Sequence, residues 1–321
     1  MDASSDPHDA LAHRIVQRQK ELDLAHSNRL RPGGLERALR LRFLRTFAAR
    51  LFSPVVRITP VPLPAPAPGA LQIGFVGHAT FQIVSHGARV LTDPLFSDTL
   101  HGFRRRIGAC IAPGDIQRTS AVLLSHAHTD RFAPDSLRRI PKSATVFVPH
   151  GALEGHVRAL GFAEVRVLLP EQDAQHGDLT ITATPARHDG RGGRGGSTGG
   201  TNGYILRERD VTAYYAGATG YFSGFTDIGK RFRPDIALLP IAGYEPTPLR
   251  ENNLSPLDAL YAFDDLGARC FVPYGFDAFT LGYEAADEPL GWLGELCAER
   301  PVERRATVVR TGGQLRVERG G

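Results

Sequence analysis

Cysteine is scarce in this sequence, with only Cys110, Cys270 and Cys297 among 321 residues. They lie far apart and form no C-x-x-C pair, which argues against a disulfide framework and against a zinc module built on cysteine. A chain with so few thiols and no pairing pattern is typical of a reducing compartment. We therefore predict a cytoplasmic protein.

Long apolar runs and a strong net charge are also missing. No stretch approaches the roughly 18 apolar residues of a spanning helix. The N-terminal MDASSDPHDA carries acidic residues where a signal peptide has an apolar core. The 38 basic and 34 acidic residues leave only +4 over the chain. Because binding to nucleic acid needs a stronger or more concentrated positive charge, no nucleic-acid partner is expected.

Basic residues are nevertheless concentrated near the N-terminus. Residues 9–25 and 34–52 read as helices, and seven arginines but a single acidic residue lie between Arg29 and Arg50. A basic amphipathic helix of this kind suits a membrane surface, so peripheral membrane contact through 34–52 is one expectation. The alternative is a helix packed on the main domain with its arginines in solvent.

Proline divides the chain. Six prolines between Pro54 and Pro68 make a stiff, extended segment that cannot join a helix or a central strand. We predict a helical N-terminal extension at 1–53, a proline-rich linker at 54–70 and a main domain at 71–321. In the main domain, short β-like runs are interleaved with helix-like stretches, which indicates a layered α/β sandwich.

Glycine is concentrated in one stretch, DGRGGRGGSTGGTNG, which holds eight glycines between Asp189 and Gly203. This density predicts a loop, because ordering so many glycines in a helix or strand costs too much entropy. The stretch matches neither the Walker pattern nor the dinucleotide fingerprint. A mobile lid or a linker is therefore a better interpretation than a phosphate cradle.

Two histidines are spaced for metal binding in LLSHAHTDR. His126 and His128 follow the apolar run AVLLS, so we predict that they emerge at the carboxyl end of a buried strand. Residues two apart on an extended backbone point the same way, which lets both imidazoles reach one ion. His188 follows another predicted strand and would complete a three-histidine site, an arrangement that holds catalytic zinc with a position open for water. Surface histidines without a ligand are the alternative.

A longer series of motifs resembles a known family. The motifs are GHATFQI, LTDPLFS, LSHAHTD, VPHG, ATPARH, YYAGATGY, IALLPIAGYEP and LSPLDAL, in this order within about residues 71–300. Together they resemble the metallo-β-lactamase superfamily, and among its branches the N-acyl-phosphatidylethanolamine phospholipase D-like and lactonase-like hydrolases. The resemblance implies an αββα sandwich with a metal cleft along one edge of its two sheets, and hydrolysis that usually uses two ions.

The resemblance assigns roles to particular residues. It matches the ligands of the family's first metal site with His126, His128 and His188. Asp130 matches the aspartate that serves the second ion. The family's remaining ligands are replaced, and the replacements are Arg131, Ala218 and Pro273. One divalent ion is therefore predicted, zinc by preference, with iron and manganese as alternatives.

Further roles follow from this ligand set. Asp130 is the expected general base or water-orienting group. Arg131 would replace part of the lost positive charge, either by pairing with Asp130 or by binding an anionic substrate group. The alternative for Arg131 is an exposed position at a helix start. Five more residues are candidates for substrate contact or for support of the ligands, with ordinary packing as the alternative: His78, Asp93, Tyr221, Tyr244 and Asp277.

These residues predict a mononuclear metal-dependent hydrolase of an ester, amide, lactone or phosphodiester. Its substrate would be a small or lipid-like molecule. Two other functions stay open at the level of the sequence. Loss of the bridging carboxylate permits a catalytically silent relative that keeps the fold as a binding protein. Histidine ligands with open positions also suit an iron(II)-dependent redox enzyme.

Overall fold

The computed structural model of the protein describes residues 53–189, 200–301 and 306–319, together with Leu41, Leu44 and Ala48. The strands in this part of the chain are β1 (Ala70–Gly77), β2 (Thr80–Val84), β3 (Arg89–Thr92), β4 (Thr99–Leu100), β5 (Phe103–Arg104), β6 (Ala121–Leu123), β7 (Thr145–Val148), β8 (Glu164–Val167), β9 (Asp173–His176), β10 (Leu179–Pro185), β11 (Asn202–Glu208), β12 (Val211–Tyr215), β13 (Ile236–Pro240), β14 (Cys270–Tyr274) and β15 (Gln314–Glu318). The helices with described bounds are α1 (Pro113–Gln117), α2 (Pro134–Arg138), α3 (Gly151–Arg158), α4 (Gly224–Phe232), α5 (Pro256–Leu266), α6 (Glu288–Ala298) and a 3-10 helix, η1 (Thr247–Glu251).

The strands form two large sheets. One has seven strands in the order β15-β1-β2-β3-β6-β7-β8, and the other has six in the order β14-β13-β12-β11-β10-β9. The pairs β3-β6, β6-β7, β7-β8, β12-β13 and β13-β14 are parallel. The strands β4 and β5 form a separate hairpin.

Side-chain alternation along the strands builds two cores. In β6, Ala121 and Leu123 join the core that contains residues of both sheets, whereas Val122 joins a second core with α1, α2 and α3. In β7, Phe147 faces the first core and Val146 faces the second. Because successive side chains point to opposite faces, an apolar run such as AVLL is buried on both sides.

The remaining helices cover the other sheet. Phe225 of α4, Phe263 of α5 and Leu293 of α6 belong to the core that includes the six-stranded sheet, and α5 contacts β13 directly. The layers are therefore helices, sheet, sheet and helices. The predicted α/β fold, an αββα sandwich, is confirmed.

Two predicted regions fall largely outside the described residues. These are the helical extension at 1–53, except Ser53 and three helical positions, and residues 190–199 of the glycine-rich stretch. The segment predicted as a linker is described and contains no helix between residues 54 and 69. Within it, Leu63 is buried. Its N–H donates to Asp115 Oδ2 at 3.0 Å, and its carbonyl accepts from Arg89 Nη2 at 2.8 Å.

No helix among the described residues is both long enough and apolar enough to cross a bilayer.

Strand direction gathers the predicted site residues at one edge of the sandwich. Within the seven-stranded sheet β1, β3 and β6 run the same way, and so do β10, β12, β13 and β14 within the other sheet. Residues that follow their carboxyl ends are His78, Asp93, His126, His188 and Ala218. Chemistry at the carboxyl ends of strands is the usual arrangement in open α/β sheets.

Candidate metal centre

Three histidines converge on one point. His126 Nε2 lies 3.0 Å from His128 Nδ1, and His188 Nε2 lies 3.2 Å from the same atom. One ligand nitrogen from each ring lies within 4.8 Å of the other two. Ligands of a tetrahedral zinc ion, with Zn–N bonds of about 2.0–2.1 Å, are about 3.3 Å apart. The spacing therefore fits a single ion held by three imidazoles.

The tautomer of His188 is fixed by a backbone carbonyl. Its Nδ1 lies 2.7 Å from the carbonyl oxygen of Asn252, which can only accept a hydrogen bond. Nδ1 therefore carries the hydrogen, and Nε2 presents its lone pair to the cluster. This contact supports the ligand from outside, in the way that outer hydrogen bonds orient metal-binding histidines.

His126 is oriented by a short relay. Its Nδ1 lies 2.9 Å from Ser125 Oγ, and that hydroxyl donates to Asp93 Oδ2 at 2.6 Å. Ser125 Oγ therefore accepts from Nδ1–H, and His126 Nε2 also presents a lone pair. The lone pairs of both Nε2 atoms therefore point at the same place, close to His128 Nδ1, where either a hydrogen on that atom or a bound cation would satisfy them. This donor set fits a cation.

His126 and His188 are neutral at neutral pH. Burial lowers the pKa of His126 well below its ordinary value, and the neighbouring His188 lowers it further. Burial also lowers the pKa of His188 to about 4, although the hydrogen bond to Asn252 opposes the shift. Because a metal competes with protons for imidazole, neutral rings are ready to bind it.

Asp93 lies behind the histidines. It is fully buried, and its Oδ1 accepts the Ser125 N–H at 2.7 Å. Its Oδ2 accepts from Tyr215 Oη at 2.6 Å and from Arg131 Nη1 at 3.4 Å. The structure therefore places Asp93 in support of His126 and Arg131, and the cavity wall does not include it.

Asp130 is held by two donors through one oxygen. Its Oδ2 lies 3.0 Å from His78 Nε2 and 3.0 Å from Arg131 Nε. Within the described ranges, no donor reaches the other oxygen, Oδ1. Burial raises the pKa of Asp130, but the His78 hydrogen bond and the Arg131 charge outweigh it and hold the pKa well below its usual range. Asp130 is therefore an anchored carboxylate with one free oxygen.

Arg131 is buried, which excludes the exposed position at a helix start. Only 7% of it is accessible. Besides Asp130 and Asp93, its guanidinium donates to Tyr215 Oη at 3.2 Å and lies 5.9 Å from the ring centre of Tyr274. Burial alone would lower the pKa of Arg131, but Tyr215 and the two carboxylates raise it above its ordinary value. Arg131 is a fixed cation.

These groups open onto a cavity of about 360 Å³. Seven residues singled out by the sequence line it: His78, His126, His128, Asp130, Arg131, His188 and Ala218. Pro273, the third replaced ligand position, lies in β14 and is not in the described wall. The cavity therefore brings together the three converging histidines, the anchored Asp130 carboxylate and the Arg131 guanidinium.

The described cavity wall includes none of Tyr221, Tyr244 and Asp277, for which substrate contact, support of the ligands and ordinary packing were all open. Tyr221 Oη donates to a carboxylate oxygen of Asp265. Tyr244 is buried with its ring 5.5 Å from that of Trp292. Asp277 accepts a hydrogen bond from an arginine side chain at 2.7 Å. All three contribute packing or ion pairing.

Glu284 is a cavity residue that the sequence did not indicate. It lines the cavity and is 4% exposed, and its carboxylate accepts hydrogen bonds from the backbone N–H groups of Gly243 and Glu245. It belongs to no motif and lies well beyond the end of β14 in the following loop, so only the fold reveals its position. Asn252 was missed for a different reason: it acts through its backbone carbonyl.

Glu284→Gln is expected to flatten the pH dependence of stability. Burial raises the pKa of Glu284 from 4.5 to about 7. Because the pKa of the folded state is the higher one, the protonated group stabilises the fold fully below pH 4.5, and this contribution is lost as the pH rises through about 7. Urea denaturation from about pH 4.5 to about pH 8 should show the wild type losing up to about 3 kcal/mol relative to the variant. Parallel curves would contradict the prediction, and the exposed Glu295→Gln controls for the loss of one charge.

Comparison with known proteins agrees with this geometry. The family described as beta-lactamase superfamily domain matches residues 88–276. An uncharacterised protein of Mycobacterium tuberculosis is 30% identical over 260 residues, which cover 75% of this chain and 69% of that protein. A UPF0173 metal-dependent hydrolase of Caldivirga maquilingensis is 25% identical over 219 residues, covering 64% of this chain and 82% of that protein. A solved metallo hydrolase from Ignicoccus hospitalis has the same fold, with a TM-score of 0.59, 22% identity and coverage of 78% of this chain and 100% of that one.

Proposed function

Since the chain belongs to the beta-lactamase superfamily, we propose that it is a metal-dependent hydrolase with a single divalent ion, held by His126, His128 and His188. The observation that carries the proposal is the convergence of three imidazole nitrogens, two with lone pairs directed inward. The naming of relatives as metal-dependent hydrolases supports the reaction class.

Imidazole donors suit zinc, iron and other transition ions, and zinc is the ion we propose. Bound there, such an ion would polarise a substrate oxygen and make water acidic enough to ionise near neutral pH. With only three protein ligands, the ion would have room for water or substrate on the cavity side. The protein's own task is to hold these rings neutral and oriented, through Asn252 and the relay from Asp93.

Asp130 is the proposed general base. Its Oδ2 is fixed between His78 and Arg131, while Oδ1 has no hydrogen-bond partner in the described part of the chain. The low pKa of the carboxylate keeps Oδ1 ready to accept a hydrogen bond from a water molecule and to orient it. His78 is a positioning residue in this scheme, since it touches the base and supplies no group of its own to the reaction.

A single ion follows from the neighbours of Asp130. The positions that correspond to the family's second-ion ligands hold a guanidinium, at Arg131, and a methyl group, at Ala218. A cation 3.0 Å from the Asp130 carboxylate neutralises the charge that a second ion would need and repels that ion. Arg131 therefore supplies part of the positive charge that a second ion would bring to Asp130.

The proposed substrate is an ester, amide, lactone or phosphodiester of a small or lipid-like molecule. Leu249 and Leu281 line the cavity and are 39% and 41% exposed, which supports an apolar portion in the substrate. Membrane contact through 34–52 stays a prediction, because most of that segment lies outside the described residues. A cytoplasmic location, which rests on the scarcity of cysteine, also stays a prediction.

Elemental analysis of protein purified without chelators tests the proposal. We expect about one equivalent of zinc, no metal in His126→Ala/His128→Ala, and full metal in His86→Ala, which removes an exposed histidine away from the cavity. The zinc-loaded protein should cleave a chromogenic ester or phosphodiester, and the double variant should not. Two equivalents would contradict the single ion. Absence of metal would favour a silent binding protein, and iron with oxygen consumption would favour a redox enzyme.

A further inference from the structure

We infer that Arg131 forms an anion subsite beside the metal centre, so that the substrate carries a carboxylate or phosphate group in addition to the bond that is cleaved. The inference rests on the proposed function and narrows its substrate class. The subsite would be formed by the part of the guanidinium that donates no hydrogen bond to the described residues.

The three nitrogens of Arg131 are used unequally. Nε donates to Asp130, and Nη1 donates to Asp93 and Tyr215. No acceptor among the described residues reaches Nη2. Fully buried arginine nitrogens that lack a hydrogen-bond partner are found in Arg89 and Arg105. Nη2 of Arg131 is not among them, so this nitrogen is at least partly accessible. Because Arg131 lines the cavity, its two free N–H groups are available to a bound molecule.

The position of this donor is fixed in advance. Only 7% of Arg131 is exposed. Two carboxylates, the Tyr215 hydroxyl and the Tyr274 ring hold the guanidinium plane in one orientation. An arginine that is already immobilised loses little entropy when it binds an anion. Charge-assisted hydrogen bonds from such a group are stronger than those between neutral partners.

Apart from the proposed metal ion, the described cavity wall offers no other fixed cation. Arg131 is the sole lysine or arginine in the wall that the described residues form. An anionic substrate group that enters the cavity would therefore find its fixed cationic partner at Arg131. Carboxylate and phosphate oxygens share the chemistry that this donor recognises.

Matched inhibitors test the inference on the zinc-loaded protein. Each probe carries a hydroxamate group that chelates the zinc ion of the protein. The anionic probes are the monohydroxamates of malonic, succinic and glutaric acids and phosphonoacetohydroxamate. In the neutral counterparts a carboxamide replaces the free carboxylate. We expect the anionic member of at least one pair to bind about 10–100-fold more tightly than its carboxamide, as measured by calorimetry. A stronger preference for carboxylate or for phosphonate identifies which anion the subsite takes.

Arg131→Gln should reduce this preference, taken as the ratio of the carboxamide Kd to the anionic-probe Kd within the variant, to within about twofold, and elemental analysis checks that zinc is still bound. The surface variant Arg138→Gln should keep the full preference. No preference at any chain length, or a preference that persists in Arg131→Gln, would overturn the anion subsite. If carboxamides still bind and zinc is still present, the proposed function survives that result; absence of zinc and of all hydroxamate binding would instead overturn the proposed function.

The buried contacts of Arg131 make a conservative variant necessary as well. Arg131→Lys keeps a charge but loses the planar fork, so we expect it to fold and to retain a reduced preference for the anionic probes. If circular dichroism shows that Arg131→Gln does not fold, the lysine variant decides the matter. A preference equal to that of the wild type would then contradict a role for the guanidinium edge.

Discussion

Asp130→Asn is expected to lower kcat by about 10²- to 10⁴-fold on whichever chromogenic substrate the wild type cleaves, with bound zinc still near one equivalent. The amide keeps the shape of the carboxylate and can still meet Arg131 and His78. It cannot accept a proton, so the free oxygen loses its proposed function. Because the three ligands belong to other residues, metal content should not change, and steady-state kinetics with parallel elemental analysis measures both quantities.

Asp135→Asn is the matched control for this variant. Asp135 lies in α2, five positions farther along the chain, and its side chain is 84% exposed and pairs with Arg138 on the surface. The same chemical change there should leave kcat unaltered. If Asp130→Asn loses zinc together with activity, Asp130 is a ligand and the assignment of a base is wrong. An unchanged kcat would show that proton transfer depends on another group.

The parts of the site that could be predicted from sequence are those governed by local pattern. The apolar run before His126 predicts a buried strand, and the two-residue spacing predicts that His128 points the same way. The αββα fold was predictable because the helix and strand signals occur in a recognisable order. For such residues the chain neighbours supply most of the information.

The parts that could not be predicted depend on contacts between distant residues. Tyr215 belongs to an apolar strand, VTAYY, and reads as a core residue, yet its hydroxyl donates to Asp93, 122 positions away. Glu284 becomes a cavity residue through the loop that follows β14. For Tyr221 and Tyr244 the sequence left substrate contact and ordinary packing both open, because their motifs resemble the walls of the cleft. A motif does not determine which way each side chain points, and both rings are buried.

Arg131→His/Ala218→Asp is expected to raise bound metal from about one equivalent to about two. Both positions line the cavity, and the family resemblance places a terminal ligand of the second ion at one and the bridging carboxylate at the other. The change removes the guanidinium that neutralises Asp130 and adds an imidazole and a carboxylate, which are donors that divalent transition ions accept. Together with Asp130, the variant would offer three ligands to the second ion. Elemental analysis after dialysis against excess zinc measures the result.

Arg131→His/Ala242→Asp separates a restored site from simple attraction of a cation to added negative charge. Ala242 also lines the cavity, so this control has the same composition and the same change of charge as the test variant, but its carboxylate is not at the bridging position. We expect it to stay near one equivalent. Two equivalents in both variants would mean that charge alone recruits the ion. One equivalent in both variants would mean that restoring the family residues at 131 and 218 does not create a second site. Some other feature would then limit the protein to a single metal.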